Sequence, residues 1–246
     1  QERRVGRHTL PDSVFIVAAG NTVEDGAVAY EMGTALSDRL VHLHVTANAK
    51  DWLERYAVDQ SLHPAVTAFL RSRPDLLDTT EDGLRRGEMI ACTPRSWERV
   101  SQIMRAVPDR RIRDTMVAGT IGVAPAAEFA RVADELDAMV TVQDMIATPR
   151  GQRGNLYPET LNGLVGLIYG LVAQTDADTI GGVIEVMADM RTLKSDRLQS
   201  LPLGELTSFG FELLIRKALA QDLQEAFRTS AAYVEYAQDR AKARAL

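Results

Sequence analysis

Residues 13–21, Ser-Val-Phe-Ile-Val-Ala-Ala-Gly-Asn, set the tightest limit on what this chain can fold into. Val14, Phe15, Ile16 and Val17 form an almost unbroken β-branched and aromatic run of strand length. A run of that kind predicts a strand covered on both faces, as in a parallel sheet. It stops at a small-residue turn, Ala18-Ala19-Gly20, that presents a single amide side chain, Asn21. Ligands of open parallel sheets sit at the carboxyl ends of the strands, and Asn21 falls there. The segment from Ala27 to Leu40, rich in Ala, Met and Leu, predicts a helix weakened at Gly33. Arg39 stands where that helix meets a second strand-like run, Leu40 to Val45. In that run Val41, Leu43 and Val45 alternate with His42 and His44, which puts both histidines on one strand face. Two such histidines could begin a metal site, but no Cys, Asp or Glu cluster stands nearby to complete one, and a half-exposed strand face is the simpler reading.

From Ala49 onward the pattern is helical. Asn48 is suited to cap a helix carrying Trp52, Leu53 and Tyr56, and Pro64 to open one carrying Val66, Phe69 and Leu70, which Arg73-Pro74 ends. Residues 79–88 are charged and aperiodic, and predict a loop. Thr93-Pro94-Arg95-Ser96 starts a helix with Trp97, Val100, Ser101 and Met104 on one face, closed by Pro108. Two more helices are predicted over 112–121 and 125–136. A Pro- and Gly-containing change of character over 140–158 suggests a boundary. Helical stretches follow over 161–174, 179–193 and 206–236, the last with a break near Gln221-Asp222. Gly163, Gly166 and Gly170 permit close helix approach. That spacing is common in membranes, but Asn162 and the short length favour helix packing in a soluble protein.

Composition narrows the function classes. A net charge of -6 argues against a general nucleic-acid binder. One cysteine, Cys92, excludes an intramolecular disulfide and fits a reducing compartment. No apolar run reaches about 18 residues, the length at which a membrane span is expected. The opening Gln1-Glu2-Arg3-Arg4 lacks the apolar core of a signal peptide, so the cytoplasm is the expected location.

Five short motifs occur in order: Gln1-Glu2-Arg3, Leu10-Pro11, the run ending Ala18-Ala19-Gly20-Asn21, Ala35-Leu36-Ser37-Asp38-Arg39, and Thr93-Pro94-Arg95-Ser96. Together they resemble the second half of an AAA+ ATPase domain of the MoxR-like, dynein-related branch, over roughly Gln1 to Leu136. The resemblance implies an α/β fragment, the end of an AAA+ parallel-sheet core, over residues 1–48. It implies a mainly α-helical lid over 49–138 and a helical C-terminal extension over 139–246, used for assembly or partner binding. It assigns Asn21 to sensor 1, Arg39 to the arginine finger and Arg95 to sensor 2. It further implies ATP and Mg2+ as cofactors and a homo-oligomeric, hexameric ring. Such a ring uses ATP hydrolysis to remodel a partner protein, often one with a von Willebrand factor A domain.

The departures from the family are equally specific. The sequence contains no G-x-x-x-x-G-K-[ST], whose backbone amides and lysine would cradle the phosphates. No strand ending in paired acidic residues precedes Asn21, so the Walker B magnesium ligand and the water-polarising glutamate are missing. The chain is therefore expected to be the C-terminal part of a longer protein and not to hydrolyse ATP by itself. The reading from a different class is a non-catalytic helical interaction or scaffold module.

The residue types suit those roles. An Asn amide can hold an attacking water without titrating, although Ala-Gly-Asn also makes an ordinary turn. A guanidinium is always charged and forks onto phosphate oxygens. Arg39 could equally pair with Asp38 or Glu31. Arg95 follows Pro94 at a helix start, where anions are attracted and a cation is locally unfavourable. Cys92, just before that helix, could have a lowered pKa, but a buried, inert thiol is the simpler expectation.

Overall fold

The computed structural model describes residues 3–20, 33–137, 141–193, 198 and 200–244. Among them the paired strands are two residues long each: β1 (Arg4–Val5) and β2 (His8–Thr9), antiparallel with Arg4 opposite Thr9. Gly6 turns the chain between them at φ +59, where a Cβ would be strained.

The strand expected over Val14–Val17 does not form. Residues 14–20 carry no ladder partner, and Phe15, Ile16 and Val17 are 92%, 73% and 89% exposed. The run after Arg39 behaves in the same way, with Val41, Leu43 and Val45 more than four-fifths exposed. A strand needs neighbours to take up its N–H and C=O groups, and the described residues supply none. The α/β expectation for residues 1–48 is accordingly not met among them. Of the helix expected over 27–40, the described part is one turn, α1 (Thr34–Ser37), and residues 27–32 lie outside the described residues. His42 Nε2 sits 3.0 Å from Ser37 Oγ.

The rest is helical. α2 (Ala49–Asp51), a π-helical turn at Trp52–Tyr56 and α3 (Ala57–Asp59) run on as one stretch, which Asn48 caps by accepting from the Asp51 amide at 3.0 Å. α4 (Pro64–Ser72) begins at its proline and stops at Arg73, before Pro74. The loop expected over 79–88 is instead mostly helix, α5 (Thr80–Arg86), ended by Gly87 at φ +67. Hydrophobic periodicity cannot reveal it, because Gly83 is its one buried residue. Its support is charge order, with Glu81 and Asp82 in the first turn and Arg85 and Arg86 in the last. α6 (Pro94–Ala106), α7 (Arg110–Ile121) and α8 (Val123–Asp137) follow, with α7 packed on both α6 and α8. Asp109 caps α7 through the Ile112 amide.

Beyond residue 140 come α9 (Val142–Ala147), a 3-10 segment at Arg150–Leu156, α10 (Leu161–Ala173) and α11 (Ile180–Met190). α12 (Leu203–Ala220), α13 (Glu225–Thr229) and α14 (Ala231–Arg244) complete the order. The break expected near Gln221-Asp222 is present, with Asp222 at φ +58. The Pro- and Gly-containing stretch before α10 is packed down. Arg153 is buried and pairs with Glu185 at 3.1 Å, and the Tyr157 hydroxyl donates to the Val186 carbonyl at 2.7 Å.

One hydrophobic core runs through the helical part. Its aromatic centre is Phe69, Trp97 and Phe129, with ring centroids 5.4–5.8 Å apart. α4 lies between α8 and α10 and packs on both. The glycines of α10 admit neighbouring helices: a Cβ on Gly166 would collide with Leu136 of α8, and one on Gly170 would meet Val142 Cγ2 of α9 at 2.9 Å. Among the described residues no helix is long and apolar enough to cross a membrane.

His63 gives this core a pH dependence. Its backbone N–H donates to Ser101 Oγ at 2.8 Å, and its Nδ1 accepts from the Ala65 amide at 3.2 Å as the N-cap of α4. The cap requires the neutral ring. Burial, and after it the guanidinium of Arg105, pull the imidazole down from 6.5 to about 4, with Asp137 opposing and Arg113 adding to the shift. The unfolded chain therefore binds the extra proton first. The contribution is complete above about pH 6.5 and is lost as pH falls through about 4. Chemical denaturation between pH 7 and 4 should show up to about 3 kcal/mol of loss from this group. His63→Asn, which keeps a capping side chain without the titration, should flatten that part of the profile. An unchanged slope in the variant would assign the acid loss elsewhere.

Candidate functional site

Arg95 is the predicted site residue whose surroundings are best defined. Thr93 and Ser96 form a reciprocal capping box: the Ser96 amide donates to Thr93 Oγ1 at 3.1 Å, and the Thr93 amide donates to Ser96 Oγ at 2.8 Å. Pro94 occupies the first turn, where its missing N–H costs nothing. Two residues past Arg95, Trp97 is fully buried, and its indole N–H donates to the Leu76 carbonyl at 2.7 Å. The start of α6 is thus fixed on both sides of Arg95, whereas Arg95 itself is exposed. Among the described residues it makes no ion pair, so a full positive charge stands at the electropositive end of a 13-residue helix.

Arg39 is also exposed, in the turn that follows α1, with its amide donating to the Leu36 carbonyl at 3.1 Å. No described carboxylate pairs with it, Asp38 included. Glu31, the other acid considered for it, lies outside the described residues, and so does Asn21. No hydrogen bond or ion pair joins Arg39 to Arg95. The two share a chemistry, an exposed guanidinium with open donor edges, and that chemistry fits phosphate oxygens. Among the described residues no group of three or more His, Cys, Asp or Glu side chains could hold a metal.

Cys92 is fully buried with Sγ 3.5 Å from the Ile121 carbonyl, and burial pushes its thiol up to about 11. Proximity to the α6 N-terminus does not activate it; it is a packed, unreactive side chain.

Sequence reasoning missed the convergence of Arg71, Phe209 and Tyr169, with Arg71 over the Phe209 ring and Tyr169 edge-on to it. These residues stand on three helices, 98 and then 40 residues apart in the chain, and no local spacing announces them.

No family model, no curated protein and no solved structure matches this chain.

Proposed function

We propose that this chain is part of an ATP-hydrolysing AAA+ ring motor of MoxR type that remodels or activates a partner protein. In this reading Asn21 orients the attacking water, Arg39 reaches the γ-phosphate held by a neighbouring subunit, and Arg95 reads the nucleotide from the lid. The chain itself supplies neither P-loop nor Walker B, so ATP and Mg2+ are held mainly by a segment outside these residues. Bound there, Mg2+ would neutralise developing charge on the phosphates.

The observation that carries the reading is the state of the two apolar runs on either side of α1. Runs that include side chains as exposed as Phe15 at 92% and Val41 at 88% are costly in water, at roughly 25 cal/mol per Å² of apolar surface. Both are strand-length, one apolar on both faces and the other alternating. They end at Asn21 and begin after Arg39, the two residues that the sequence motifs single out. A sheet completed by further strands would cover them, bring Asn21 to its carboxyl edge, and leave Arg39 at the start of the second run, where it would face a neighbouring subunit. The contrasting reading, a non-catalytic helical interaction module, is favoured by the single core shared by α4, α8, α10 and α12.

Arg95→Ala distinguishes the two. The γ-phosphate offers charge that ADP lacks, so its contact with Arg95 differs between states, as any ligand-driven switch requires. A charge-assisted hydrogen bond contributes roughly 1.5–3 kcal/mol, enough to bias a hinge. Spin labels across core and lid of the intact protein should show different distances with an ATP analogue and with ADP. In Arg95→Ala that difference should narrow. Wild-type distance distributions in the variant would return Arg95 to the status of a surface residue.

A further inference from the structure

A cavity of 540 Å³ lies where the turn after α3, the last turn of α6 and α10 meet. Leu136, Val142 and Leu167 give it an apolar wall, and Ser61, Arg105 and Asp137 supply polar groups. Asp137 is already paired with Arg113 at 2.7 Å. Spaces of this size between helices, mostly apolar with a few polar groups, are where small ligands bind.

Ser61 is held there in an unusual conformation. It follows α3 at φ +48, in the left-handed region, with the Leu62 amide donating across it to the Ala57 carbonyl at 2.9 Å. Glycine is the usual residue at such a helix end, because a Cβ is strained there. Other residues kept in that region cluster at functional sites. The Ser61 hydroxyl meets a buried amine. Lys217 of α12, 8% exposed, has its Nζ 3.0 Å from Ser61 Oγ and 3.2 Å from the Ala173 carbonyl. Neither partner is a carboxylate. Burial pulls the Lys217 pKa down, with Asp59 opposing, so the neutral amine is more accessible than in an exposed lysine. In that form one N–H still serves Ala173, and the lone pair is left for the Ser61 O–H. A hydroxyl paired with a desolvated amine is one form of the activated nucleophile. Arg105 donates to the Ser61 carbonyl and lines the same cavity, which adds a permanent positive charge.

We propose that Ser61 is a nucleophile for acyl transfer from a small apolar ester, with Lys217 as its base. Ser61 Oγ attacks the ester carbonyl carbon, and its proton passes to the Lys217 amine. The bond from that carbon to the alcohol oxygen breaks, and Lys217 returns the proton to the departing alkoxide. Water then cleaves the acyl-serine by the same route and releases the carboxylic acid. Arg105 supplies positive charge for the oxyanion formed in both steps. The inference does not rest on the ATPase reading and uses none of its residues.

The test is covalent labelling of the 246-residue chain with a fluorophosphonate, which loses fluoride when a serine oxygen attacks its phosphorus. Peptide mapping should place the adduct on Ser61, and millimolar p-nitrophenyl butyrate should be hydrolysed and slow the labelling. Ser61→Gly removes the hydroxyl and relieves the left-handed strain, so this variant should keep its fold and take no label. Lys217→Met keeps a buried stem without the amine and should slow labelling by about 10²–10⁴, the range for a positioned base. Absence of a Ser61 adduct in the folded wild-type chain would overturn the proposal. So would adducts spread evenly over many serines, or an equal labelling rate in Lys217→Met.

Discussion

On the proposed reading, Arg39→Ala in the intact protein should lower ATP turnover by about 10³–10⁵ while leaving nucleotide affinity within a few-fold. That is the rate contribution of an arginine finger supplied in trans. A finger guanidinium acts on charge that spreads over the γ-phosphate oxygens in the transition state, so loss of one appears in turnover before it appears in binding. Arg39 meets the requirements of such a residue: it is exposed, it stands in the turn after α1, and no described carboxylate neutralises it. Mixed rings separate this role from one within its own subunit. Arg39→Ala subunits combined with P-loop-defective subunits should recover part of the activity, because each kind supplies what the other lacks. Mixed rings as inactive as either parent would count against a finger acting across the interface.

The second large effect is on stability. Trp97→Ala should destabilise the helical part by about 3–5 kcal/mol, the range for truncating a fully buried large aromatic. Trp97 packs against Phe69 and Phe129 at 5.4 and 5.8 Å, so the cavity would open between α4, α6 and α8. Its indole N–H also holds the Leu76 carbonyl, which links α6 to the turn after α4. Trp97→Phe separates the two contributions, since it fills most of the space but leaves that carbonyl unpartnered, at about 1–3 kcal/mol. Denaturant midpoints should order wild type above Phe above Ala. A Phe variant as stable as wild type would show that the indole hydrogen bond contributes nothing. Because Trp97 anchors the helix that presents Arg95, its loss should also blunt any nucleotide response of the lid.

Much of the helical part was legible in the sequence because capping and breaking residues act locally. Asn48, Thr93, Pro64 and Pro74 each stand at a helix boundary for the reason their side chains or rings dictate. The stripe Trp97, Val100, Ser101 and Met104 is the buried face of α6, as its spacing requires. Elsewhere local signals were insufficient. α5 is held by charge order around one buried glycine, and a polar helix of that kind resembles a loop in the sequence. The runs at Val14–Val17 and Leu40–Val45 have strand composition, but strand formation is a property of pairs, and no strand among the described residues pairs with them. Of the site, the exposure of Arg39 and Arg95 follows from their positions at a helix junction and a helix start. Asn21 lies outside the described residues, so its place beside them rests on sequence order alone. The convergence of Arg71, Phe209 and Tyr169 depends on how α4, α10 and α12 cross, which no stretch of sequence encodes by itself.

The central claim, that this chain supplies sensor and finger residues to an ATPase completed by a P-loop segment, meets its most direct test in one measurement. Steady-state ATP hydrolysis should be compared between the intact polypeptide, purified with everything its gene encodes, and the 246-residue chain. The account predicts magnesium-dependent turnover by the intact protein and none by the chain alone. An intact protein that neither binds nor hydrolyses ATP would contradict it, and would leave the helical interaction module as the function of this fold.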